Sequence, residues 1–213
     1  KTTSSAMITQ VLLEAGLDPS VVIGGKLPLL RGSGRVGKND LMVCEACEFN
    51  DHFLKLSSDI SVILNIDADH LEYFGTLENI IHSFHKFAEQ TSRTLIVNGD
   101  DENTKKAIEG ISGKEIITFG FSEGCDYYPV DISYDPETKT TFTLMQQKKK
   151  IADIALSIPG KHNILNACAA CAACLAAGAK PEDLSRYLSN FHGAGRRFEI
   201  LGTKNGITIA DDY

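Results

Sequence analysis

Apolar positions along the chain fall into two kinds of run. In the first they recur at helical spacing. Ala6, Met7, Leu12, Leu13 and Ala15 do so over residues 3–15, with Gly16 behind them as a stop. Leu77, Ile80, Ile81, Phe84, Phe87 and Ala88 share one face of a helix predicted over residues 77–90. In the second kind the run is short and continuous, as in Leu41-Met-Val-Cys-Glu45 and Ile60-Ser-Val-Ile-Leu-Asn-Ile66. Such runs suit strands covered on both faces, as in a parallel sheet. Residues 21–23 form a shorter β-branched run closed by Gly24-Gly25, and the glycine-rich, basic stretch 31–39 predicts an exposed loop. A strand at 94–97, a helix at 100–109 with acids in its first turn, and a strand at 116–119 continue the alternation. Alternating strands and helices predict an α/β fold with right-handed crossovers.

Beyond residue 119 the pattern changes. Strands at 127–133, 140–145 and 151–158 follow one another without a helix, and Asp135-Pro-Glu-Thr138 reads as a turn. They predict a small antiparallel sheet appended to the main one, a candidate subdomain at 127–158. An Ala/Cys/Leu helix at 163–177 ends at Gly178, and Pro181 opens another over 181–190. Runs at 198–201 and 207–210 flank Lys204-Asn-Gly206, a hairpin signal.

The 213 residues are 43% apolar and 23% charged, the composition of an ordinary globular domain. A net charge of −7 speaks against sequence-independent binding to nucleic acid. No apolar run approaches the length of a membrane helix and no signal peptide is legible, so no membrane role is expected. Six cysteines in such a chain fit a reducing cytoplasm. Without an initiator Met, with Lys1-Thr-Thr running straight into a helical pattern, and with Asp211-Asp-Tyr213 following a strand, the sequence reads as the central piece of a longer chain.

Several residues carry candidate chemistry, each beside a plainer reading. Lys1-Thr2-Thr3 before a helix has the residue types of a phosphate-binding loop, in which the lysine reaches phosphates and a hydroxyl binds Mg²⁺, although the glycines of that motif are not in the chain. Glu45 and His70 each follow a buried-type strand, and ligands of open α/β sheets bind beyond the carboxyl ends of strands. A carboxylate and an imidazole can hold divalent ions; equally, Glu45 can cap a helix and His70 can be a surface histidine. Asp67 and Asp69 add local negative charge. Cys44-Glu-Ala-Cys47 invites a redox or zinc reading, but Cys168, Cys171 and Cys174 recur in an alanine-rich helix as small packing residues do. His162, Asn163 and Asn166 open that helix; the two amides share a face and offer a donor and an acceptor to a purine edge, and Asn163 also reads as an N-cap. Arg196-Arg197 can clamp a phosphate or lie solvated at the surface.

Together, Lys1-Thr-Thr, Val43-Cys-Glu-Ala-Cys-Glu48, Asn65-Ile-Asp-Ala-Asp-His70, the PGKHNILNA segment from Pro159, the GAGRRFE segment from Gly193 and Asp211-Asp-Tyr213 resemble the Mur ligases of peptidoglycan synthesis. The EACE, DADHLEYFG and DDY segments are most similar to the alanine-adding branch. The resemblance covers nearly the whole chain, but only the central ATPase domain of a three-domain enzyme. It implies a P-loop-type, mostly parallel sheet flanked by helices, with ATP and Mg²⁺ as cofactors and UDP-N-acetylmuramate and L-alanine as partners held with the other domains. It also implies roles for single residues. Lys1 is the phosphate lysine, with Thr2 as a magnesium ligand and Thr3 beside it; Glu45 holds one Mg²⁺ and His70 a second. Asn163 and Asn166, with His162, contact the adenine, Arg197 reaches the phosphates and Asp211 the ribose. Sister ligases bridge their metals with a carbamylated lysine about fifteen residues after the histidine; here His85 stands at that place, with Lys86 beside it.

Overall fold

The computed structural model describes residues 1–134, 140–195 and 199–212. A six-stranded sheet runs β4 (Ile60–Ile63), β5 (Thr94–Asn98), β6 (Glu115–Phe119), β7 (Tyr127–Tyr134), β8 (Thr140–Gln146), β9 (Lys149–Leu156). β4 to β7 pair in parallel and β7 to β9 antiparallel, so the antiparallel strands continue the parallel sheet edge to edge. A second, three-stranded sheet has the order β2 (Gly32–Arg35), β1 (Ser20–Leu27), β3 (Met42–Cys44), with β1 and β3 parallel. β3 and β4 therefore each end a sheet. β10 (Glu199–Lys204) and β11 (Ile207–Asp211) form the expected hairpin. The turn expected at 135–138 lies outside the described residues.

Burial follows the patterning. All five residues of the continuous run β5 are buried: Leu95 and Val97 pack with α3 (Leu77–Gln90) and α4 (Glu102–Ala107), while Ile96 faces the opposite layer. That layer holds α1 (Thr2–Glu14), α5 (Lys161–Ala176) and α6 (Pro181–Leu188). β8 and β9 alternate instead, pressing Phe142, Leu144, Ile154 and Leu156 into the same core, to which β7 adds Tyr127 from a start buried over three residues. α5 can lie close to both α1 and the sheet because its side chains are small; Cys168, Cys171 and Cys174 are fully buried in it, as packing residues. Burial pushes the thiols of Cys168 and Cys171 far above their ordinary range, so they stay protonated. Helix starts are set by side chains at α3 and α4, where Thr76 accepts from the Asn79 N–H and Asp101 from that of Thr104.

Three expectations change. The strand at 21–23 does not close at Gly24-Gly25 but runs through them to Leu27. Part of the loop expected at 31–39 is β2, paired antiparallel with β1. The helix at 100–109 is shorter, because the Asp101 side chain caps it so that it starts two residues later than expected, at Glu102, and the chain turns at Ile108. Two short elements had no periodic signature: a kinked 3-10 segment, Phe49–Lys55, and α2 (Leu71–Phe74).

Candidate functional site

The site gathers at the N-terminus of α1. Among the described residues no side chain caps the helix after Lys1, and its first-turn N–H groups and the positive end of its dipole lie at this end of the site. Thr2 is buried and donates its hydroxyl to Glu45 Oε1 at 2.9 Å. Glu45 follows β3, and its other oxygen accepts the Gly24 N–H at 2.6 Å. Glu45 thus does not cap a helix; it is locked between a strand and the start of α1.

This locking depends on the two glycines in mid-strand. A Cβ on Gly24 would stand 2.8 Å from Glu45 Oε1, and one on Gly25 2.7 Å from Thr2 Cγ2. Glycine inside a strand marks a close approach of another group. Gly25 also sits against Ala194 and Gly195, and Gly195 donates its N–H to Lys26 O at 2.8 Å. The described chain therefore reaches β1 beside Thr2 just before Arg196 and Arg197, which lie outside the described residues.

A second cluster adjoins the first. Lys1 Nζ forms an ion pair with Glu48 Oε2, while Glu48 Oε1 lies 4.0 Å from His70 Nε2. Asp69 Oδ2 lies 3.8 Å from the same nitrogen, and the ligand atoms of Glu48, Asp69 and His70 all fall within 4.8 Å of one another. His70 takes the left-handed conformation at the start of α2, φ 52°, and its ring packs on Phe49 with centroids 4.9 Å apart. Its Nδ1 faces Glu72 Oε1 at 3.3 Å. Glu48 is the residue sequence reasoning left without a role; its signal was a second carboxylate three positions after Glu45.

The start of α5 is tied to the start of α1. Ser4 Oγ donates to Asn166 Oδ1 at 3.1 Å, Asn166 Nδ2 to Asn163 Oδ1 at 3.0 Å, and Asn163 Nδ2 to Pro159 O at 2.6 Å. Asn163 is not the N-cap, since α5 begins at Lys161 after Gly160, and it is buried inside the first turn. His162 is exposed beside Gly160, and Lys161 Nζ lies over the Phe121 ring, 4.7 Å from its centroid. Thr3 is half-buried in the first turn of α1. Asp211 ends β11, on a hairpin whose strands pair with each other.

The donor set fits a hard divalent cation at Thr2 and Glu45. Magnesium binds oxygens at about 2.0–2.1 Å in an octahedron, whose adjacent ligands stand about 2.9 Å apart. The Thr2 Oγ1–Glu45 Oε1 separation of 2.9 Å equals that edge. The Cys44–Cys47 pair, by contrast, consists of two exposed free thiols, and burial pushes the Cys44 thiol up from its ordinary range.

Comparison with known proteins bears on the family. The family model of the Mur ligase middle domain matches residues 1–174. A UDP-N-acetylmuramate–L-alanine ligase of Caldanaerobacter subterraneus subsp. tengcongensis is 42% identical over 100% of this chain and 46% of its own length. The ligase of the same name from Agathobacter rectalis is 40% identical over 100% of this chain and 47% of its own. The crystal structure of UDP-N-acetylmuramate-alanine ligase from Thermotoga maritima superposes with a TM-score of 0.85 at 28% identity, covering 100% of this chain and 48% of that one. A Thermotoga maritima MurF ligase, solved in complex with ADP, shares the fold with a TM-score of 0.71 at 21% identity, over 99% of this chain and 50% of its own. The chain spans about half the length of the curated relatives it matches. It belongs to the Mur ligase family, whose middle domain it carries.

Proposed function

We propose that this chain is the ATP- and magnesium-binding domain of an ADP-forming ligase that joins L-alanine to UDP-N-acetylmuramate in peptidoglycan synthesis, in the cytoplasm. The UDP-sugar and amino acid are held with flanking domains. The observation that carries this reading is the Thr2 hydroxyl set against the Glu45 carboxylate in the first turn of α1, beside Lys1. The chain's identity with alanine-adding ligases along its full length supports the choice of acceptor.

In this reading a lactyl carboxylate oxygen attacks the γ-phosphorus of ATP, the bond to the β,γ-bridging oxygen breaks and ADP leaves, giving an acyl phosphate. The amine of L-alanine then attacks the acyl carbon, loses a proton, and phosphate departs. Little covalent chemistry falls to the protein; its work is positioning and charge stabilisation. Lys1 and the first-turn N–H groups of α1 bind phosphoryl oxygens, and Arg197 adds a second cation. Thr2 and Glu45 would hold one Mg²⁺ and His70 a second, which when bound would supply positive charge to the transferred group. Asn163 and Asn166, with His162, border the adenine, and Asp211 the ribose.

The test is phosphate release by the full-length parent enzyme with ATP, Mg²⁺ and UDP-N-acetylmuramate, adding one amino acid at a time. Release that depends on L-alanine is expected. Release with a different acceptor overturns the choice of substrate, and none with any acceptor in folded protein overturns the ligase reading.

A further inference from the structure

We propose that Cys44 and Cys47 are a redox modification site: a reversible disulfide between them pulls Glu45 off Thr2 and switches off magnesium binding. The effect on magnesium rests on the reading above; the disulfide itself does not.

The two thiols bracket the carboxylate that the site depends on. Cys44 is the last residue of β3, and Cys47 follows three positions on; both are exposed and unbridged. The other four cysteines are buried, three of them within α5. A small oxidant in solution therefore reaches the pair beside Glu45 and not the rest. In a reducing compartment a disulfide is usually transient and serves catalysis or redox sensing.

The reduced chain is not shaped for the bridge. Cys44 stands opposite Val22 in the parallel ladder, and Glu45 donates its N–H to Val22 O at 2.8 Å, which prolongs the pairing. Residues 45–47 form neither a turn nor a bend, and Cys47 O accepts the Phe53 N–H at 2.8 Å. Three extended steps of about 3.3 Å each span about 10 Å. A disulfide needs Cα atoms roughly 4.4–6.8 Å apart. A β-turn brings its first and fourth residues within about 7 Å, so bridging puts Glu45 and Ala46 in the middle of a turn. Glu45 then leaves the ladder, and its carboxylate leaves the Thr2 hydroxyl, now at 2.9 Å, and the Gly24 N–H, now at 2.6 Å. A bridge that has to bend the backbone is strained and exposed, which makes it easily reduced again.

The oxidant is a low-molecular-weight disulfide. One protein sulfur loses its proton and attacks it, forming a mixed disulfide and releasing one small thiol. The second protein sulfur loses its proton and attacks the mixed disulfide, closing the Cys44–Cys47 bond and releasing the other small thiol. The pair is oxidised by two electrons, and the small disulfide takes up both electrons and both protons.

The experiment treats the full-length parent enzyme with oxidised glutathione, alkylates the remaining thiols and maps the tryptic peptide 39–55, which carries both cysteines. The same samples are titrated with a non-hydrolysable ATP analogue, with and without Mg²⁺. Oxidised wild type is expected to show an internal disulfide in that peptide. Its Mg²⁺-dependent gain in affinity should fall about tenfold or more and return with dithiothreitol. Cys47→Ser can take a mixed disulfide at Cys44 but cannot close the turn, and is expected to keep the Mg²⁺ dependence under the same treatment. Absence of the internal disulfide overturns the proposal, as does an internal disulfide that leaves Mg²⁺-dependent binding unchanged. Equal loss in Cys47→Ser overturns it too, because an adduct without a turn would then suffice. Reduced wild type that binds the analogue without any response to Mg²⁺ overturns the magnesium reading instead, and the disulfide is still decided by mass.

Discussion

Gly24 is where a single hydrogen atom decides the geometry of the candidate site. Its N–H holds Glu45 Oε2, and the Cβ of an alanine there would fall 2.8 Å from Oε1. Gly24→Ala therefore has to push the carboxylate off Thr2. Overpacking of this kind costs about 1–3 kcal/mol, and misplacing a ligand by about 1 Å can cost on the order of 100-fold in rate. The expected outcome is a loss of turnover out of proportion to the drop in melting temperature, checked by steady-state kinetics and thermal unfolding of the same variant. Unchanged turnover would mean that Glu45 does not depend on this contact. Residue types were the most legible part of the site: Lys1, Thr2, Glu45 and His70 stand out as chemistry at strand ends and a helix start. Glu48 and Gly24 did not, because their importance lies in which neighbours the fold brings to them.

Among elements, the strands and helices with strong periodicity were legible, and those held by main-chain pairing alone were not. β2 reads Gly-Ser-Gly-Arg and has no apolar alternation; only its ladder with β1 makes it a strand. The junction of β6 and β7 is a similar case. Their ladder holds the single pair Phe119↔Tyr127, and Asp126 reinforces it. One carboxylate oxygen accepts the N–H and the hydroxyl of Thr118, both at 2.8 Å, and the Asp126 N–H returns a bond to Thr118 Oγ1 at 2.8 Å. Burial pushes the Asp126 carboxyl up, but the Thr118 N–H and hydroxyl and the Gln147 amide outweigh it and hold the group below its ordinary value. A depressed folded-state value means stability that is present above the ordinary aspartate range and is lost as pH falls through the folded value. Asp126→Ala is expected to cost about 1–3 kcal/mol and to flatten the acid limb of the stability curve. Denaturant titrations at pH 7 and below pH 4 check this, and equal acid sensitivity in the variant would remove Asp126 from the account.

At the scale of the whole molecule, one core joins α1, α5 and α6 to both sheets, while a second packs α3 and α4 on the far side of β4 and β5. The three-layer arrangement was legible because strands covered on both faces have continuous apolar runs and strands covered on one face alternate. The edges were not legible, since nothing in a strand's own sequence says which neighbour it lacks. The outer strands β2 and β9 carry Arg35, Lys149 and Lys150, charges that discourage pairing with another chain. β3 and β4 are different: Met-Val-Cys and Ile-Ser-Val-Ile have no charge, although each ends a sheet among the described residues. They have the composition of interior strands. For anyone handling this 213-residue chain by itself, the consequence is colloidal. Its β3 and β4 edges are templates for strand addition, so sedimentation should show self-association that rises with concentration. Met42 is 60% exposed, so Met42→Lys should suppress that association while shifting stability by no more than about 0.5 kcal/mol. A chain that stays monomeric at every concentration would show these edges to be protected.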